Sequence, residues 1–242
     1  MQNTGLASVA DSTCRHSRTG SLQRKQPLGM QAYHLIRRKI IILEYKPGQL
    51  LDERQLVAEL GLGRTPVREA LLRLACDGWI ESEPNKGAIV PPITLQGTKA
   101  IFEAMKILET GIASLSAVQN TASVAQMMLA NQEVQKACDS GDIFELVEAN
   151  HAFHMRYARS CHNDFLIRAL GDVGNKAKRL AFLSYATDID PQRSLHVHYA
   201  SVVREHEEII KHMQNRDEAG LRQVLLDHID TFQQRIVRYI VS

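Results

Sequence analysis

Apolar residues recur at helical spacing along almost the whole chain after residue 30, and strand-like runs are confined to one short stretch. Tyr33, Ile36, Ile40 and Leu43 mark a first helix over 30–44, ended by Lys46-Pro47-Gly48. A second helix is predicted over Glu53–Leu60, capped by Asp52 and stopped by Gly61. A third runs from Thr65 to about Asp77, with Thr65 as its cap and Pro66 in the first helical position, where a missing N–H costs nothing. Gly78 breaks it. Trp79-Ile-Glu-Ser and Ala88-Ile-Val then read as two short strands about a turn at Pro84-Asn85-Lys86-Gly87, and Pro91-Pro92 opens a linker. From about Thr94 onward the pattern is helical only. Six or seven segments are separated near Asn120, Gly141, His162-Asn163, Asp188–Pro191 and Asn215-Arg216-Asp217.

Three regions follow. Residues 1–27 are rich in Ser, Thr, Gly and Gln, carry Arg15, Arg18, Arg24 and Lys25, and show no hydrophobic period, so a disordered, mildly basic tail is predicted. Residues 28–93 combine two short helices across a tight Gly-containing turn with a β-hairpin, the layout of a winged helix-turn-helix. Residues 94–242 form an all-helical domain. The predicted fold class is mainly α.

Charge sharpens this division. Residues 1–93 hold thirteen Lys/Arg against nine Asp/Glu, and residues 94–242 hold sixteen against eighteen. The positive excess lies where a polyanion could use it. Within it, the start of the third helix presents Arg64, Thr65 and Arg68, the part of a recognition helix that meets base edges. An arginine can donate two hydrogen bonds to guanine O6 and N7. Arg54 on the preceding helix, with Lys86 and Gly87 at the wing tip, completes a candidate DNA face. The plainer alternative pairs these arginines with Glu53, Glu59 and Glu69 on the surface.

The helical half carries a second signal. On a helical wheel, Ile143, Leu146, Val147, Phe153 and Tyr157 form one stripe, with Asn150 in its middle and His154 one turn on. His206 centres the stripe of Tyr199, Val202, Val203, Ile209, Ile210 and Met213. His228 centres that of Leu221, Val224, Leu225 and Phe232. His151, His196, His198 and His212 fall at rims or outside. Three buried imidazoles need partners, since an unsatisfied buried polar group costs on the order of 1–3 kcal/mol. A shared divalent metal would satisfy them together, and a hydrogen-bonded polar pocket is the alternative. The four cysteines are scattered without a CxxC pair, as suits a reducing cytoplasm. No apolar run has the length of a secretion signal or of a membrane span.

The run LDERQLVAELGLGRTPVREALLRLACDGWIESEPNKGAIV resembles the DNA-binding domain of the GntR family. That resemblance implies operator contacts by Arg54, Arg64, Thr65 and Arg68, and a wing glycine near the minor groove. Gly63 stands where the family usually has a Ser or Thr hydroxyl. N-H-A-F-H at 150–154, E-H-E-E-I-I at 205–210 and D-H-I at 227–229 resemble the metal motifs of the FCD-type ligand-binding domain of the FadR subfamily. The implied ligands are Asn150, His154, His206 and His228, holding zinc or nickel at the floor of a pocket, with Asn150 at a position where Asp is common. The implied effectors are small carboxylates, often paired with an arginine of the domain's first helix. Met105 occupies that place, which leaves Arg156 and Arg204 as candidate cations on the effector side.

The expectation is a cytoplasmic homodimer that binds a double-stranded operator and represses a small-metabolite catabolic operon under control of an effector. A metal-dependent enzyme is one alternative, because histidine-bound metal can activate water. Yet the chain has no HExxH, no Gly-rich phosphate loop and no G-x-S-x-G. A ligand-free architectural DNA-binding protein is the other.

Overall fold

In the structure, a computed structural model, residues 26–83, 87–116, 121–188 and 194–241 are described. The predicted tail lies almost wholly outside them, as does Lys86. The first unit comprises α1 (Leu28–Ile41), β1 (Leu50–Leu51), α2 (Glu53–Leu60), α3 (Arg64–Cys76), β2 (Glu81–Glu83) and β3 (Gly87–Ile89). Helices α1 and α3 face each other through Ala32, Ile36, Ile40, Val67, Ala70 and Leu74, all buried. Each fully buried Ile or Leu there contributes roughly 1.5–3 kcal/mol. The Asp52 side chain accepts hydrogen bonds from the N–H groups of Arg54 and Gln55, both at 2.9 Å, and fixes the start of α2. The three strands order β1-β3-β2, all antiparallel, with Leu51 opposite Ala88 and Ala88 opposite Ser82.

Three local expectations are corrected. Helix α3 begins at Arg64 and is capped by Gly63, which offers no side-chain hydrogen bond, so Thr65 sits inside the first turn. The strands lie slightly later and earlier than predicted, and β1 was hidden because a two-residue strand leaves no period to read. Leu43 adopts φ +60°, outside α1, and packs against apolar residues of the second unit.

That unit has six helices among the described residues: α4 (Leu95–Ser116), α5 (Thr121–Ser140), α6 (Ile143–Arg159), α7 (Asp164–Ala186), α8 (Leu195–Gln214) and α9 (Glu218–Val241). Asp142 caps α6 through the Glu145 N–H, and Asn163 caps α7 through the N–H groups of Phe165 and Leu166. Helix α6 packs on α5 and α7, α8 on α5 and α9, and α4 on α9 and α7. The interior between α6, α7, α8 and α9 is where the polar residues gather.

The two units touch through α1 and α7. Arg37 of α1 reaches Glu148 of α6 at 2.8 Å, and Lys178 of α7 holds the same carboxylate at 3.0 Å. The Arg38 guanidinium lies 4.2 Å over the Phe144 ring, and Arg179 donates to the Pro91 carbonyl at 2.6 Å.

Candidate metal centre and nucleic-acid interface

His154, His206 and His228 come from three different helices, α6, α8 and α9, and all three are buried. Each offers one ring nitrogen to a common point, the three atoms lying within 4.8 Å of one another. What sits behind each ring decides its chemistry. His228 Nδ1 faces Glu205 Oε2 at 2.6 Å, and His154 Nδ1 faces Glu109 Oε1 at 3.2 Å. His206 Nδ1 faces Asn131 Oδ1 at 2.9 Å, with the amide orientation fixed because Asn131 Nδ2 donates to the Val203 carbonyl.

Carboxylate and amide oxygens accept hydrogen bonds, so Nδ1 of His206 and of His228 carries the proton and Nε2 of each neutral ring presents a lone pair, whereas His154 Nδ1 and Glu109 Oε1 stand at ion-pair distance without a hydrogen bond among the described residues. His154 Nε2 and His228 Nε2 stand 3.3 Å apart. His206 Nε2 and Asn150 Oδ1 are buried without a hydrogen-bond partner among the described residues. Three buried ring nitrogens therefore meet, and the lone pair of His206 Nε2 is unanswered among the described residues, a demand that a cation at their centre would meet. Protonation of His206 is disfavoured: burial, then the charges of His228 and His154, push it well below the ordinary histidine range. Two nitrogens about 2.0–2.1 Å from one zinc stand roughly 3.3 Å apart at a tetrahedral edge. The residues thus fit a divalent metal. The Phe153 ring, stacked 3.7 Å from His206, excludes water from one side.

A cavity adjoins this cluster, lined among others by Met105, Glu109, Asn150, His154, Lys178, Tyr185, Glu205, His228 and Phe232. Met105 is buried on its wall, so the substitution of an apolar residue for the expected arginine holds in space. Arg156 and Arg204 do not line it. Arg156 borders a separate surface groove with Leu129 and Glu133, and the exposed Arg204 donates to the Ala200 carbonyl. Lys106 is turned to Gln233 and Asp230. His198 and His151 were placed at rims by the wheel, but His198 is buried against Ser184 and both line the cavity. His151 is accommodated by Gly174, where an added Cβ would stand 2.7 Å from the imidazole.

Lys178 is the cation on the cavity wall that the wheel could not assign. Burial pushes its pKa down to about 8, against the opposing pull of Glu148 and with the help of Arg37. The unfolded chain holds this proton up to the ordinary lysine range, near 10.5. Between about pH 8 and 10.5 the unfolded state therefore binds more protons, and folding stability must rise with pH. Urea unfolding at successive pH values should show wild type gaining on Lys178→Met by up to about 1.4 kcal/mol per pH unit in that window. Parallel profiles would refute the buried charge.

At the other end, Arg54, Arg64, Thr65 and Arg68 are all exposed on α2 and the first turn of α3. Arg68 Nε donates to Glu53 at 2.7 Å, so part of the plainer pairing does form. Glu59 does not join it, being held by Lys39 and Tyr45. Gly87 is exposed at φ +99°, a backbone state that other residues rarely adopt, which explains glycine at the wing. Sequence reasoning missed the groups behind the histidines. Glu109 was detectable, because it interrupts the buried stripe of Phe102, Met105 and Ile112 on α4.

Comparisons with known proteins divide along the same two units. Residues 28–90 match the family model described as bacterial regulatory proteins, gntR family, and residues 100–231 match the FCD domain. The uncharacterized HTH-type transcriptional regulator YdhC of Bacillus subtilis is 25% identical over 213 residues, covering 86% of this chain and 91% of that protein. The HTH-type transcriptional repressor RspR of Escherichia coli is 22% identical, covering 89% and 91%. Among solved structures, E. coli McbR/YncC superposes with a TM-score of 0.71 at 19% identity, covering 90% of this chain and 99% of that one.

Proposed function

This chain belongs to the gntR family of bacterial regulatory proteins and carries an FCD domain, and from that premise we propose that it is a repressor whose effector binds beside a histidine-held metal. As a regulator of this family, it binds operator DNA through its winged head and responds to a small molecule through its FCD domain. The finer reading takes residues 28–93 as the head and 94–242 as the sensor. Asn150, His154, His206 and His228 hold zinc or nickel, which supplies a Lewis-acidic point to which an effector's oxygen can bind. Asn131 and Glu205 fix the rings of His206 and His228 with Nε2 inward, and Glu109 stands behind His154. Arg54, Arg64, Thr65 and Arg68 contact the operator, with Gly87 and Lys86 at the wing. The observation that carries the metal reading is the meeting of one ring nitrogen from each of three buried histidines, with His206 Nε2 unpartnered among the described residues.

Two chains pair, for which exposed Ile107 on α4 and Met128 and Leu129 on α5 offer apolar surface. The dimer presents two recognition helices to a pseudo-palindrome in the cytoplasm, and a small change in their spacing loses affinity for both half-sites together. The relative named as a repressor, RspR, supports the sign of regulation. An enzymatic role does not fit, since the family and the named relatives are transcriptional regulators.

The test is metal removal from the full-length protein. A metal at a hundred times its Kd stabilises the folded state by about 2.7 kcal/mol, or roughly 5–10 °C in Tm for a chain of this size. Chelation should lower Tm by that amount, and zinc or nickel should restore it. Identical melting of stripped and reloaded protein would overturn the metal site.

A further inference from the structure

Lys178 and Arg37 share one carboxylate. Glu148 receives both Lys178 hydrogen bonds at 3.0 Å and the Arg37 bonds at 2.8 and 3.1 Å. Two cations therefore face one anion, and the surplus positive charge sits on Lys178, whose side chain is only 4% exposed and lines the cavity. A buried, uncompensated charge is costly unless something pairs with it. Among the described residues Glu148 is the carboxylate that pairs with it, and Glu148 divides its charge between two partners.

The other half of the cluster points away from the cavity. Arg37 belongs to α1, which packs directly on α3, the helix that starts with Arg64, Thr65 and Arg68. Its guanidinium lies 5.0 Å over the ring of Trp79, the chain's one tryptophan. Glu148 itself stands about one and two-thirds turns before His154 on α6, so cavity wall, metal cluster and head contact are tied to one helix.

We propose that Lys178 takes an acidic group of the effector and that Glu148 relays its occupation to Arg37, and so to the DNA-reading head. The inference rests on reading this cavity as the effector site and names the group within it that recognises charge. An anion beside Lys178 competes with Glu148 for the ammonium. Glu148 is then left to Arg37 alone, and the contact between α6 and α1 changes. With a Lewis acid at one end of the cavity and an ammonium on its wall, the fitting ligand class is a small diacid, one acid for each. Met105 in place of an arginine is no obstacle, because Lys178 supplies the cation from α7 instead of α4.

The experiment uses full-length protein and succinate as the probe, with and without zinc, read by calorimetry and by Trp79 fluorescence. In wild type, succinate should bind and produce a saturable change in Trp79 emission. Lys178→Met should weaken succinate at least about tenfold, the loss of one charge-assisted hydrogen bond, while zinc uptake is unchanged. Lys178→Arg should recover most of it, which separates lost charge from lost folding. Glu148→Gln should still bind succinate yet lose the Trp79 response. Equal succinate affinity in Lys178→Met and wild type, no succinate binding by wild type at millimolar concentrations, or a wild-type Trp79 response in Glu148→Gln would each overturn the proposal. Zinc alone tests the underlying metal reading separately. A protein that takes up no zinc but binds succinate through Lys178 loses the metal and keeps the relay.

Discussion

Replacing Arg64 and Arg68 together with alanine is expected to weaken operator binding by about 10²- to 10³-fold, since a bidentate arginine–guanine contact discriminates by roughly five- to a hundredfold. Both side chains are exposed at the start of α3, so the double variant should keep the wild-type circular dichroism spectrum. Arg68 is held by Glu53 in the free protein. An exposed ion pair of this kind is weak and screened by salt, so it orients the guanidinium before binding and gives way to a base edge. Fluorescence anisotropy at fixed ionic strength, on the intergenic DNA upstream of the chain's own gene, provides the measurement. Loss of phosphate-contacting charge should also flatten the dependence of log K on log salt. A double variant within threefold of wild type would end the assignment of this face to DNA.

The prediction uses residues that were legible from sequence, because a winged head is built from local signals. Asp52, Gly61, Pro66 and Gly78 punctuate three short helices, and each acts within a few residues of itself. Even here the reading slipped where local chemistry was missing. Gly63 has no side chain to announce a cap, so Thr65 looked like the better candidate. In the helical half the wheel found His206 and His228, since each lies at the centre of a stripe facing one interior. It failed for His198. Helix α8 meets α5 and α9 along most of its length but turns its first residues toward Ser184 on α7, which widens the buried arc beyond a single stripe. Lys178 and Glu148 were out of reach for a different reason. A charged residue is normally solvated, and only the approach of α1 to α6 and α7 makes this triad half-buried. Pairings 30 and 111 residues apart leave no spacing to read.

The orienting groups behind the histidines give the second large effect. Removing a ligand, as in His206→Ala, should lower zinc affinity by about a hundredfold or more, because a four-ligand site loses a quarter of its donors. Replacing only the acceptor behind it, as in Asn131→Leu, should cost about 10- to 100-fold, the range for partners that orient a metal-bound histidine. The Asn131 effect is diagnostic because its oxygen contacts His206 Nδ1 and not the point where the Nε2 atoms meet. In Asn131→Leu the imidazole can rotate or change tautomer, and its lone pair is no longer committed inward. Asn150→Asp should act in the opposite direction, tightening zinc by adding a negative charge to a set of neutral donors. Competition against a chromophoric chelator measures all three, with circular dichroism confirming the fold. A ranking in which Asn131→Leu binds zinc as wild type does, while the protein stays folded, would mean that the rings are held by packing alone. The proton position that leaves the His206 Nε2 lone pair facing inward would then be wrong, and the case for a cation at the centre of the cluster would fall with it.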